Sequence, residues 1–384
     1  MKAGSRDRRF SLLEALGIGA VVTMGVLALG LGARVIRLNV VPEVRADAID
    51  KATDPLSFMR VEMGTINGLA GPHLIISGAN VHIRSGGGST TEGACWDTGC
   101  SGLGNLIVGY NEAYGSHKRT GIHNLVVGTK HGFRSHGGLV AGSHNQINQP
   151  YATVAGGQLN TVSAIWGSIA GGKNNWVSGN GAAILGGRYN NASGAQSTIS
   201  GGGGDSLAEG NDAIGPYSTV AGGHTNKASG TYAAVTGGEL NVASGFYSGV
   251  SGGRENLASG EASSVSGGGG NDATATQSAV GGGGANTASG YGATVSGGIH
   301  GTASGGGSVV AGGSTNSATG YAASVVAGDH NIASGRSSSV TGGGYGAHPW
   351  GNEASGDWST VSGGFDRNVS GSYDWRGGGY FDDG

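Results

Sequence analysis

The stretch VSGGRENLASGEASSVSGGGGNDATATQSAVGGGGANTASGYGATVSGG, Val250 to Gly298, repeats one 15-residue phrase. Each copy reads V-x-G-G-x-x-N-x-A-S-G-x-x-[AS]-[AS], with small departures. Working outward, the anchoring Val or Ile recurs at Val154, Ile169, Ile184, Ile199, Val220, Val235, Val310, Val325, Val340 and Val361. Every interval is 15 residues except two of 21. Three earlier copies carry one Gly fewer: LIVG at Leu106, LVVG at Leu125 and LVAG at Leu139, the last two 14 residues apart. The array therefore holds about 17 units.

Helical-pair repeats and propeller blades need about 34 residues or more, so this period excludes both. It keeps neither a Gly-X-Y triplet nor a heptad, which excludes collagen and coiled coil. It suits one turn of an all-β parallel β-solenoid with two short strands, [AS]-[AS]-V-x-G and x-x-N-x-A-S. Gly-Gly and Ser-Gly then fall at corners, where positive φ or close backbone approach is needed. Strand alternation puts Val on one side with its neighbours outward, and Asn and Ala together on one side.

The Asn column comprises Asn160, Asn175, Asn190, Asn226, Asn241, Asn256, Asn271, Asn286, Asn316 and Asn331, with Gly301 as a gap. Stacked amides can hydrogen-bond along such a column, as in cross-β ladders. An internal ladder that satisfies corner backbone groups is the preferred reading over an exposed polar recognition stripe. The two 21-residue intervals place their extra residues between the Gly-Gly and Asn211, and between Gly342-Gly343 and Asn352. Both insertions thus belong to one corner, and insertions on repeat scaffolds often carry binding. The second, GYGAHPWG at Gly344 to Gly351, offers Tyr345, His348 and Trp350 as a candidate contact loop.

Glycine supplies 85 of 384 residues, a content that by itself suggests low complexity. The strict register of Val, Asn and Ala argues for order instead. Net charge is −3 with no basic patch, so nucleic acid is not an expected partner. Apolar burial is thin, about 3 kcal/mol per turn. Ordering fifteen backbones costs on the order of 15 kcal/mol. Some ten inter-turn hydrogen bonds at about 1 kcal/mol each nearly close the difference. A lone solenoid is then marginal, and side-by-side self-association is expected.

Residues 1–33 read as a signal peptide or signal-anchor helix. MKAGSRDRR is basic, and ALGIGAVVTMGVLALGLGA, Ala15 to Ala33, is uncharged and long enough to span a bilayer. That order places everything after Ala33 outside the cytoplasm. FSLLEALGIG at Phe10 also resembles the processing site of type IV pilin-like precursors, a third reading that agrees on export. Residues 34–66 read as a tether, 67–103 as a solenoid cap with a cysteine loop, 104–371 as the repeats and 372–384 as a polar tail. In an exported chain Cys95 and Cys100, the only cysteines, are expected to form a local disulfide, with a free thiol pair as the alternative.

The 14-residue copies at Leu125 and Leu139 and the V-x-G…A-S-G skeleton resemble the head repeats of trimeric autotransporter adhesins. The likeness covers roughly Gly104 to Gly371. It implies a left-handed parallel β-roll, a homotrimer and a place on a bacterial surface. SGLGNLIVGYNE, HNLVVG and GGLVAG also resemble uncharacterised Gly-rich exported bacterial proteins.

His117, His123, His131, His136 and His144 crowd the first turns, but no carboxylate or Cys pattern accompanies them as in a metal site. GGGGND at Gly267 fits the opening of a calcium nonapeptide only once and at the wrong period. No Ser–His–Asp context or paired carboxylates mark an active site. The expectation is a non-enzymatic structural or adhesive protein without a cofactor, binding itself and a host, matrix or neighbouring-cell ligand. The alternatives are a binder of a regular surface such as ice or polysaccharide, or a subunit of an extracellular filament or matrix.

Overall fold

The computed structural model describes residues 58–91, 100–344 and 351–377. The N-terminal hydrophobic segment therefore lies outside the described residues, and among these no helix is long and apolar enough to cross a membrane. The chain divides into two units, Met1–Val81 and His82–Gly384.

In the first unit β1 (Met59–Glu62) pairs antiparallel with β2 (His73–Ile76), Met59 opposite Ile76. β1 falls within residues 34–66, read above as a tether, and β2 within residues 67–103, read as a cap.

The second unit is a parallel β-solenoid with three contact rows per turn. The valine row runs from Leu106–Val108 to Trp375–Arg376 and has 18 strands, each paired in parallel with the next. The alanine row has 16 strands, from Gly132–Phe133 to Asn368–Val369. Between them runs a third row of single-residue bridges, Ser143 to Gln158 to Lys173 and onward. Trp375–Arg376 is an unforeseen last rung inside the expected tail, with Arg376 opposite Val361.

The doubled glycine explains both the 15-residue period and the third row. Leu125–Thr129 and Leu139–Ser143 pair over five residues without a break. In the next turn Val140 still pairs with Val154, but Ser143 bridges Gln158. Three residues thus face four, which is a β-bulge. Gly157 keeps the positive φ of Gly142, so Gly156 is the added residue. From there on each strand is cut to two residues.

The core is a continuous column of Val and Ile from Val126 to Val361. It faces Phe133, Ile147, Val162 and Val177, then Ala from Ala192 to Ala354, and Val369 last. Large side chains thus fill the first turns and methyl groups the rest.

Two glycines per turn are required for different reasons. Gly238 sits at φ +86, and a side chain there would also strike the Gly253 carbonyl. Gly230 has an ordinary φ, but a methyl group would be driven into the Gly245 carbonyl of the next turn. The Ser-Gly corner therefore needs Gly for turn-to-turn proximity, while the left-handed position beside it is held by Tyr232, and that before the Asn corner by Leu240.

Candidate functional site: a buried amide column and the exposed edges

Every Asn predicted for the column lies at the corner between the bridge row and the alanine row, buried at 0 or 1% exposure. Asn241 shows the pattern. Its Nδ2 donates to the Gly237 carbonyl of its own turn and to the Gly253 carbonyl of the next, both at 2.9 Å. Its Oδ1 accepts the backbone N–H of Asn256 at 3.1 Å. The column is thus laced through the backbone. Amide-to-amide bonds are the exception, as from Asn256 Nδ2 to Asn241 Oδ1 at 3.1 Å. Asn145, Asn211 and Asn352 belong to the same column, although the first stands at a 14-residue interval and the other two close the longer turns. At Gly301 the chain N–H still bonds Asn286 Oδ1, but no amide continues the run.

His131 takes the place of an Asn near the start. Its backbone N–H bonds Asn111 Oδ1 at 2.6 Å. Its Nδ1 accepts the Asn145 N–H at 3.2 Å, so Nε2 carries the proton and donates to the Val127 carbonyl at 3.0 Å. Burial pushes its pKa down, outweighing the backbone hydrogen bonds that raise it. The other histidines have separate tasks. His117 bonds the Lys130 carbonyl, His123 accepts from Ser85 N–H, His144 bonds Ser143 Oγ, and His136 lies edge-on to Tyr151. Among the described residues no three metal-binding side chains converge. Asp272 of GGGGND stands on the alanine row, where partial burial raises its carboxyl pKa.

A second feature escaped sequence reasoning. Three residues before the position of the anchoring Val, an aromatic occupies Tyr151, Trp166, Tyr217, Tyr232, Tyr247, Trp358 and Tyr373. Tyr217, Tyr232 and Tyr247 stack with centroids 4.9 and 4.8 Å apart, and Trp358 stacks on Tyr373 at 5.0 Å. The spacing is simply the rise of one turn. Their faces cover one another and their edges point outward along one corner of the solenoid. The 15-residue recurrence was the available signal, obscured by Gln196, Ala262 and Ser337 at the same position.

The flanks of both insertions fall at one corner. Gly203 bridges Arg188 and Gly210 packs on Tyr189 before the Asn column resumes at Asn211. Gly344 and Gly351 relate to Asp329 and His330 in the same way. Leu207, at the tip of the first insertion, closes over Leu159, Trp176 and Tyr189 to line an apolar groove of about 260 Å³. Arg188 and Asp205 form an exposed ion pair beside it at 2.7 Å. Tyr345, His348 and Trp350 lie outside the described residues, as does Cys95. Cys100 is disulfide-bonded, not free.

The bridge row carries the charge. Glu239, Arg254 and Glu255 form exposed ion pairs 3.1 and 3.6 Å long, and His224 Nδ1 lies 3.7 Å from Glu239. Such pairs contribute little individually. Set against known proteins, the chain matches no family model and no curated protein.

Proposed function

We propose that this chain is an exported bacterial surface protein whose solenoid serves as a self-associating rod for display and adhesion, not for catalysis. The observation that carries the reading is the uninterrupted run of 18 in-register turns, stitched by backbone bonds and the buried Asn column. A ladder of this kind resists bending because every rung is bonded to two others. Solenoid stability is a sum of nearest-neighbour terms, so length is gained turn by turn. At the usual strand spacing the repeats extend about 80 Å.

In this reading the hydrophobic N-terminal segment directs export and, if retained, anchors the rod, while the insertion corner meets the ligand. The roll is left-handed and the assembly a homotrimer, as the resemblance to adhesin heads implies. Affinity then comes from many weak contacts repeated along several rods.

Surface labelling of intact cells, with adhesion then measured to immobilised matrix proteins and glycans, tests the proposal. The full chain should be accessible from outside and raise adhesion, and deleting residues 345–350 should lower it. A chain found in the cytoplasm would defeat the proposal.

A further inference from the structure

The outward residues of the valine row form a sheet face unlike any other on the solenoid. From Leu106 to Ser362 no charged residue flanks the buried column. The flanking pairs begin as Leu106 with Val108 and Leu125 with Val127, and Leu106, Val108 and Leu185 are 47, 52 and 56% exposed. From Thr153 onward they are drawn from Thr, Ser, Ala, Gly, Val and Leu alone. By contrast, the bridge row carries Lys173, Arg188, Glu239 and Arg254, and the alanine row Asp212, Lys227 and Glu353.

A separate observation concerns the first Gly of each pair, which borders this face. A Cβ at Gly171, Gly186, Gly237, Gly252, Gly267 or Gly312 would meet nothing within 4 Å, and no positive φ demands glycine there. Ala327 holds the same place in its own turn. The fold therefore tolerates a side chain that the chain withholds almost throughout. Bare backbone kept without an internal need marks close approach from outside.

We propose that copies of this chain pack together through this face, with the glycine column letting their backbones close up. The inference deepens the rod proposed above and rests on it only for self-association. A partner of the same rise meets the face rung for rung. The face is about 80 Å by 10 Å, or about 800 Å² per copy, which is what a stable interface buries on each side. Small uncharged residues desolvate at little cost, and an edge-to-edge run of Leu and Val at the first turns adds apolar burial. Charge on the other two rows leaves this face as the one that can be dried.

The test uses the full chain with single cysteines at Ser251→Cys or Ser266→Cys on the valine face, and Ser244→Cys or Ser259→Cys on the alanine face. A short bis-maleimide should cross-link the first two into dimers or larger species and not the second two. Adding Thr236→Arg to the Ser266→Cys chain should abolish its cross-link and lower its native mass, with an unchanged circular dichroism spectrum. The inference is overturned if valine-face cysteines react with a single-headed maleimide yet never cross-link, or if cross-linking occurs through the alanine face. It is equally overturned if the unmodified chain is a monomer, including one that binds ice or crystalline polysaccharide. An intact cross-link without cell adhesion supports this face while removing the adhesive reading.

Discussion

Gly301→Asn should stabilise the solenoid at the single break in its amide column. Gly301 lacks the positive φ that would exclude a side chain. A Cβ there would lie 3.0 Å from Asn286 Oδ1 and 3.2 and 3.3 Å from methyls of Val310 and Val295, so neighbours must yield by only a few tenths of an ångström. Among the described residues the buried Asn316 N–H finds no acceptor, whereas in other turns the preceding Asn Oδ1 fills that role. The new amide would accept that N–H and donate to the Gly297 and Gly313 carbonyls, with the spacing seen at Asn316. Three bonds at about 1 kcal/mol each, less the cost of the tight fit, give about 2 kcal/mol. Solenoids open locally, so the readout is amide hydrogen exchange over residues 299–318 and not a single melting point. Protection there should rise about thirtyfold, since about 1.4 kcal/mol is tenfold. The mirror variant, Asn241→Ala, strands the Asn256 N–H and the Gly237 carbonyl, while the Gly253 carbonyl keeps the Glu239 N–H, and should lose about 2–3 kcal/mol locally. If Gly301→Asn leaves exchange unchanged or faster while the new amide is buried, the column is not what holds the turns in register.

Gly230→Ala should cost about 3 kcal/mol or more by wedging adjacent turns apart, while Gly237→Ala, with open space around it within its own chain, should leave amide exchange in its turn unchanged and weaken only the association proposed above. His131 is held neutral in the fold, so the unfolded chain takes up its proton first as pH falls. Stability of the first turns should be complete above about pH 6.5 and decline below it, measured by exchange at Val126 and Val140, and His131→Asn should remove that slope. Arg376→Val puts an apolar residue where the valine column ends, and should produce end-to-end species visible by electron microscopy; an unchanged length distribution would show that Arg376 is not the terminator.

The period and the Asn column were legible because both depend on strict spacing, and a slip of one residue would turn every Val outward. The two-residue strands and the bridge row were not, since spacing alone cannot say which of two adjacent glycines is the bulge. Bonding within the column follows the preferred reading, an internal ladder that satisfies corner backbone groups. Asn241 lies beside corner carbonyls that need donors, and these outcompete the amide above it. His131 escaped because it substitutes for Asn at a 14-residue interval, and Arg376 hid the last turn by replacing Val. The hairpin before the array escaped because its two strands lie on either side of the boundary drawn between tether and cap.

A parallel solenoid has no intrinsic stop, because each turn presents the next with the same row of donors and acceptors. Its ends must therefore be made by side chains. At the C-terminal end Arg376 occupies the valine column and its guanidinium bonds the Asn368 carbonyl at 3.0 Å, while Trp375 Nε1 bonds Ser362 Oγ at 2.7 Å. A further turn stacked there would have to strip a cation of water, which costs more than one Val per turn returns. At the other end Ile107 is in register with Val126, yet it is 45% exposed where Val126 is fully buried. Among the described residues the last rung thus carries a charge in the core column, and a turn laid on it would have to bury that charge. In the assembly proposed above, copies then meet side by side, on the face that carries no charge beside its buried column.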